Sequence, residues 1–218
     1  MTWRLDGSTS LLLEKFADIE IIYSQDDKMR KLTPLGRTQA ELTGKRLGEM
    51  QKGINKAFGP CSFKIIRSSD MLRAKETAEI IAKHLEGVEV AAPDELLNEG
   101  LPAPIIPARP GILDEQEIDE NHDRIESAFQ KYMYRGPEGD ESEHEFEIIV
   151  CHGNVIRYFF TRALQIPPEA WLRMSTFNCS LTYILIRPNG NCSARMMGDI
   201  GHLGLAHSTF SGSTGFAW

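Results

Sequence analysis

No stretch of this sequence offers the roughly 18 consecutive apolar residues that a membrane-crossing helix needs. The short run Leu11-Leu12-Leu13 is followed at once by Glu14 and Lys15, too soon for an anchor. The N-terminus shows no basic region leading into an apolar run, so no signal peptide is legible. The four cysteines (Cys61, Cys151, Cys179 and Cys192) are widely scattered and form no C-x-x-C pair, which leaves no sequence sign of a zinc or dithiol redox site and fits a reduced intracellular compartment. Positive charge is also in deficit. With 24 Lys and Arg against 31 Asp and Glu, the formal net charge is −7, the wrong sign for contact with a nucleic-acid backbone. Any phosphate chemistry must therefore be local.

At 218 residues and 41% hydrophobic content, the chain can bury one sizeable core, and its length favours a single domain. The reading is an N-terminal lead-in over residues 1–16, a domain over 17–203, and a Gly-, Ser- and Thr-rich tail over 204–218 expected to be disordered. Within the lead-in, Leu11 to Leu13 reads as a short helix or frayed segment. Ile19, Ile21 and Ile22 mark a first strand over Ala17 to Ser24. Thr33-Pro34 then opens a helix, threonine as cap and proline in the first turn. Strands are expected at Phe63 to Ile66, Val88 to Val90, Phe146 to Cys151, Leu181 to Ile186 and Ala194 to Met197. Helices are expected at Met71 to Leu85, His122 to Tyr134 and Val155 to Leu164. This alternation predicts an α/β fold, a three-layer α/β/α sandwich around a mostly parallel sheet with right-handed crossovers. Leu101 to Pro110, with four prolines, is an extended loop, either a substrate rim or a surface connector. Gly136 to Glu145 reads as a solvated acidic turn.

Two segments sit where a strand gives way to a helix, the edge of an open α/β sheet at which ligands bind. One is Arg67-Ser68-Ser69 with Arg73-Ala74-Lys75-Glu76-Thr77. The other is Val150-Cys151-His152-Gly153-Asn154. With Leu32-Thr33-Pro34-Leu35-Gly36-Arg37, Glu99-Gly100 and the run from Val150 to Arg173, they make the chain resemble the histidine phosphatase superfamily, of phosphoglycerate-mutase-like fold. Within it the likeness is greatest to mitochondrial protein serine/threonine phosphatases, and it extends from about Ile19 to Leu203.

The resemblance implies a histidine nucleophile at the end of the first strand in an Arg-His-Gly motif, two arginines and a second histidine around the phosphate, and a carboxylic acid that protonates the leaving oxygen. Fixed cationic donors suit a phosphoryl group whose charge spreads over its oxygens, and an alkoxide leaves poorly without a proton. Carried over by motif, Arg73 is the second arginine, His152 the second histidine and Glu99 the acid/base residue. Gly153 and Asn154 present backbone N–H groups to the anion at a helix start. Neither a metal nor a cofactor is implied. The partners implied are phosphoproteins bearing phosphoserine or phosphothreonine, stress or apoptosis signalling kinases, and a homo- or hetero-oligomer. A mitochondrial association is implied with them.

The first strand departs from the motif. Aligned on Ile21-Ile22-Tyr23-Ser24-Gln25, Ile22 replaces the first arginine and Tyr23 the nucleophile. All six histidines lie at or beyond His84, so no realignment of this strand supplies one. A phenol with a pKa of about 10 is ionised in roughly one molecule per thousand at neutral pH, which makes Tyr23 at the nucleophile position more natural as packing than as nucleophile. The expectation is a partial phosphate pocket with impaired turnover. The alternatives are an active phosphomonoesterase using Tyr23 or a rearranged site, and a purely structural interaction domain. Cys151 and Arg157 also have the C-x5-R spacing of cysteine-dependent phosphatases, although Cys151 continues an apolar strand and reads as a buried, inert thiol.

Overall fold

The computed structural model describes residues 9–15, 27–54, 60–108, 111, 113–135 and 144–210. Its sheet contains six strands: β1 (Thr9–Lys15), β2 (Ser62–Ser68), β3 (Glu89–Val90), β4 (Glu145–Cys151), β5 (Leu181–Ile186) and β6 (Cys192–Asp199). They are ordered β3-β2-β4-β1-β5-β6. The first four run parallel, and β5 and β6 close one side antiparallel. The helices are α1 (Pro34–Gln51), α2 (Leu72–Ala82), α3 (Glu115–Tyr132) and α4 (Gly153–Ala163).

Strand β4 explains the layering. From Ile148 to Cys151 it is continuously apolar because both of its faces are covered, as parallel strands require. Phe146, Ile148 and Val150 pack with Leu47 and Met50 of α1 and with Ala74, Ala78 and Ile81 of α2. Ile149 and Cys151 point the other way, into a core with Ile125 and Ala128 of α3 and with Ile156 and Phe159 of α4. The result is the expected three-layer α/β/α sandwich. Cys151 is fully buried in the second of these cores, as expected of an inert thiol.

The start of α1 is built as the sequence predicts, with Thr33 Oγ1 accepting from the Gly36 amide at 2.8 Å and Pro34 in the first turn. Three segments differ from expectation. Thr9–Lys15 is not a loose lead-in but a strand paired on both sides, to β4 and to β5. Three leucines between polar residues give little local signal, and pairing on both edges decides the matter. The strand expected over Ala17 to Ser24 lies outside the described residues. Helix α3 begins seven residues earlier than His122, at Glu115, because the Asp114 carboxylate caps the Gln116 amide at 3.0 Å; the polar first turn gave no apolar period to read. Gly204 to Phe210, read as the start of a disordered tail, holds a 3-10 turn at Leu205–His207. Gln39 of α1 donates to the His207 carbonyl and to Thr209 Oγ1, both at 2.8 Å, so local composition was outweighed by docking on α1.

The proline-rich loop is pinned at Ala103 and Ile106. Trp171, fully buried, donates from Nε1 to the Ala103 carbonyl at 2.9 Å, and the Ile106 amide and carbonyl bond to Glu169 and Arg173. On the opposite flank, His202 bridges α1 to the end of β6. Its Nε2 meets Thr43 Oγ1 and its Nδ1 meets an Arg46 guanidinium nitrogen, each at 2.9 Å. Arg46 also pairs with Asp199 at 2.5 Å. Since a guanidinium can only donate, Nδ1 is the acceptor and the neutral ring suits the site.

Two outcomes follow from this architecture. Proline at Leu12 removes a main-chain donor from a strand paired on both sides, so Leu12→Pro is expected to abolish the cooperative thermal transition seen by circular dichroism. A wild-type transition in that variant would show that Thr9–Lys15 is not a central strand. The second concerns acid. Burial, reinforced by Arg46 and opposed by Asp199, lowers the His202 pKa from 6.5 to about 4. Between those values the unfolded chain binds the extra proton, so the contribution of neutral His202 is full above pH 6.5 and is lost as pH falls through about 4. Urea titrations across this window should show a shallower acid slope in His202→Gln than in the unaltered chain.

Candidate phosphate-binding site

The C-terminal ends of β2 and β4 lie side by side, with Ser68 opposite Val150 and the Ser69 amide donating to the Val150 carbonyl at 3.0 Å. The next residues along the two strands are therefore brought together. His152, fully buried, caps the start of α4, and its Nε2 lies 2.8 Å from Ser69 Oγ. Gly153 and Asn154 form the first turn of that helix, where unsatisfied amides favour an anion.

The hydrogen-bond pattern fixes the tautomer of His152. Asn98 Oδ1 accepts the Asp70 amide at 3.1 Å, which identifies that atom as the oxygen. The same oxygen lies 2.7 Å from Ser69 Oγ, so the single hydroxyl hydrogen of Ser69 points to Asn98. Ser69 Oγ must then accept from His152, which places a ring hydrogen on Nε2.

Glu99 follows Asn98 in a segment gripped from behind by Arg124 of α3. That guanidinium donates to the carbonyls of Leu96, Asn98 and Glu99 at 2.7–3.0 Å. Asn154 Nδ2 donates to the Gly100 carbonyl at 3.2 Å, and Arg157, one turn further along α4, donates to Asn154 Oδ1 at 3.1 Å. Burial pulls the pKa of both Arg124 and Arg157 down, and the nearby Glu99 carboxylate opposes the shift in each case. A Cβ at Gly100 would lie 2.4 Å from Asn121 Oδ1 and 2.8 Å from an Arg124 nitrogen, so a side chain there would displace both of these groups.

Arg73, in the first turn of α2, is 2% exposed. Two of its nitrogens bond to Asp27, Nη1 donating to the main-chain carbonyl at 2.8 Å and Nη2 to Oδ2 at 2.9 Å. Of the residues singled out from sequence, His152, Gly153, Asn154 and Glu99 are joined through Ser69, Asn98 and Gly100. Arg73 enters from the same β2–α2 connection that carries Ser69. Tyr23 and Ile22 lie outside the described residues. Sequence reading assigned no role to Asn98, Arg124 or Asp27, and considered Arg157 only in the C-x5-R spacing. Ser69 stood in a quoted motif without a function. Arg157 does not turn toward Cys151 as a phosphate loop would require; it bonds within its own helix.

The remaining histidines are engaged elsewhere. His84 pairs with Glu41 at 2.6 Å, and His122 Nδ1 lies 2.7 Å from the Pro102 carbonyl. His144 stacks on Phe146 at the opposite end of β4 from His152. His202 is held by Thr43 and Arg46, and His207 Nδ1 lies 3.1 Å from the Leu203 carbonyl.

Comparison with known proteins supplies the context for this geometry. A family model, the histidine phosphatase superfamily (branch 1), matches residues 19–101 and 104–199. The mitochondrial serine/threonine-protein phosphatase Pgam5 of Caenorhabditis briggsae is 49% identical over 185 residues, 83% of this chain and 61% of that protein. The human PGAM5 is 46% identical over 180 residues, 81% of this chain and 58% of that protein. The chain thus spans about three-fifths of the length of the curated relatives it matches. Among solved structures, a Plasmodium falciparum phosphoglycerate mutase superposes with a TM-score of 0.60 at 33% identity, covering 89% of this chain and 91% of that one. Bacillus stearothermophilus YhfR shares the fold at 20% identity, with a TM-score of 0.62 and coverage of 89% of this chain and 98% of that one. With matching segments that take in almost the whole of the strand-and-helix framework, the chain belongs to branch 1 of the histidine phosphatase superfamily.

Proposed function

We propose that this chain is a protein serine/threonine phosphatase-like domain that binds phosphoserine or phosphothreonine on proteins and turns them over slowly or not at all. Arg73, His152 and the first turn of α4 at Gly153 and Asn154 hold the phosphoryl oxygens. Glu99 stands as the acid/base residue. Physiologically the domain acts by sequestering phosphoproteins or by assembling with an active relative, and the named relatives, mitochondrial serine/threonine-protein phosphatases, support a mitochondrial setting and phosphoproteins as partners. Among the described residues no helix is long and apolar enough to cross a membrane.

One observation carries the impaired-turnover part of this reading. The sequence has six histidines, none before His84. His152 is bonded at the ends of β2 and β4, and the other five have partners elsewhere. Phosphoryl transfer through a phosphohistidine needs one imidazole to attack phosphorus and carry the group. Here one imidazole stands at the cradle, and its Nε2–H, given to Ser69 in this structure, passes to a phosphoryl oxygen when the anion binds, the role of a donor and not of a nucleophile. Loss of a nucleophile from a catalytic unit costs on the order of a million-fold in turnover. Anion binding by fixed guanidinium and amide donors does not require that nucleophile.

The test separates binding from turnover. A fluorescent phosphoserine peptide is expected to bind the unaltered chain, with affinity falling about tenfold or more in His152→Gln, the loss expected for one good charge-assisted contact. The same preparation should hydrolyse a chromogenic phosphate ester no faster than buffer. Joint restoration by Ile22→Arg and Tyr23→His should create turnover. Hydrolysis by the unaltered chain that disappears in Tyr23→Phe would reverse the impaired-turnover reading. Absence of peptide binding would reverse the rest.

A further inference from the structure

Asp27 begins a one-turn 3-10 segment, Asp27–Met29, that faces the start of α2. Its carboxylate is spanned by two guanidinium groups, one on each oxygen. Arg30 Nη1 lies 3.0 Å from Oδ1, and Arg73 Nη2 lies 2.9 Å from Oδ2. The three side chains differ sharply in exposure: 2% for Arg73, 34% for Arg30 and 43% for Asp27. A guanidinium as buried as Arg73 requires an anion beside it. An anion beside it here is a part-exposed carboxylate on a single turn of chain. The Arg30 Nε is buried and has no hydrogen-bond partner among the described residues, so Arg30 has donor capacity that Asp27 does not use.

We propose that Arg30 and Arg73 form a two-arginine clamp for the phosphoryl group, closed in this structure on Asp27, whose carboxylate is a built-in competitor for the same oxygens. The inference rests on the phosphate-binding reading above and adds to it a second cationic ligand from the segment before α1. A phosphate monoester carries three terminal oxygens and close to two negative charges above its second pKa of about 6. It therefore satisfies both guanidinium groups more fully than one carboxylate, and planar forks favour it. Arg73 Nη1 also holds the Asp27 main-chain carbonyl, so exchange requires the 27–29 turn to draw back as well as its side chain.

Isothermal titration with inorganic phosphate at pH 7.5 and low salt tests this on the full chain. Asp27→Asn removes the competitor, so phosphate should bind about tenfold tighter than to the unaltered chain. The same variant should melt at a lower temperature without ligand, because the carboxylate that pairs with both Arg30 and Arg73 is gone, and show a larger upward shift with phosphate. Adding Arg30→Gln to Asp27→Asn should return the affinity toward the unaltered value. Both positions are part-exposed, so these variants should fold, and their thermal transitions check that directly. If Arg30→Gln leaves phosphate affinity within twofold in the Asp27→Asn background while Arg73→Lys weakens it, the clamp is wrong and the phosphate pocket stands. If the unaltered chain and all of these variants are alike indifferent to phosphate, the clamp and the phosphate-binding reading both fall. Phosphate affinity that drops in Asp27→Asn would show that Asp27 supports the anion site rather than competing for it, and would also overturn the proposal.

Discussion

The whole site depends on two parallel strands ending in register. β2 and β4 pair so that Ser68 faces Val150, and the bond from the Ser69 amide to the Val150 carbonyl carries the pairing one residue beyond the sheet. From that point the two chains diverge into α2 and α4, and the space between them receives Ser69, His152 and the start of both helices. A one-residue slip would invert every side chain on β4. It would send Ile148 and Val150 toward α3 and α4, and Ile149 and Cys151 toward α1 and α2. The two packed cores therefore hold the register, and the register holds His152 against Ser69.

Where the sequence carried a strong period or a specific terminator, the fold was legible. β4 could be read because Ile148 to Cys151 is an unbroken apolar run, and α1 because Thr33-Pro34 is a cap with a mechanism. The position of β1 could not be read from Leu11-Leu12-Leu13, because a three-residue apolar run contains no information about which strands will lie on either side. Its identity comes from Ile148, Ile149, Thr182 and Tyr183 as pairing partners, all of them far away in the chain. The docking of His207 and Thr209 on Gln39 is invisible for the same reason: it joins residues about 170 apart, while composition describes only what is adjacent.

The site divides along a similar line. Arg73, Glu99 and His152 could be picked out because motif order and residue type coincide there. Their supports could not. Asn98 matters because one oxygen takes both the Asp70 amide and the Ser69 hydroxyl, and that pair of bonds sets the His152 tautomer. Arg124 matters because a single planar group reaches successive carbonyls of the Glu99 segment. Neither role leaves a pattern in the order of residues. Gly100 left a partial signal, since a glycine directly after Glu99 is consistent with close approach; the structure supplies the reason, in the crowding by Asn121 and Arg124.

On the proposed reading, the same division lets anion binding and chemistry part company in one fold. The cradle draws on separate connections: β2 to α2 for Ser69 and Arg73, the Asp94–Gly100 segment for Asn98 and Glu99, and β4 to α4 for His152, Gly153 and Asn154. Each is anchored by its own bonds, to Val150, to Arg124 and to the core beneath α4. The nucleophile that the family resemblance implies belongs to a separate motif, at the positions of Ile22 and Tyr23 in this sequence, outside the described residues. A change there removes one imidazole and one guanidinium without removing the contacts that shape the other three connections. Electrostatics then favours keeping what remains, because Arg73 is too deeply buried to be left without an anion. Either the protein supplies one itself, as Asp27 does, or a ligand does.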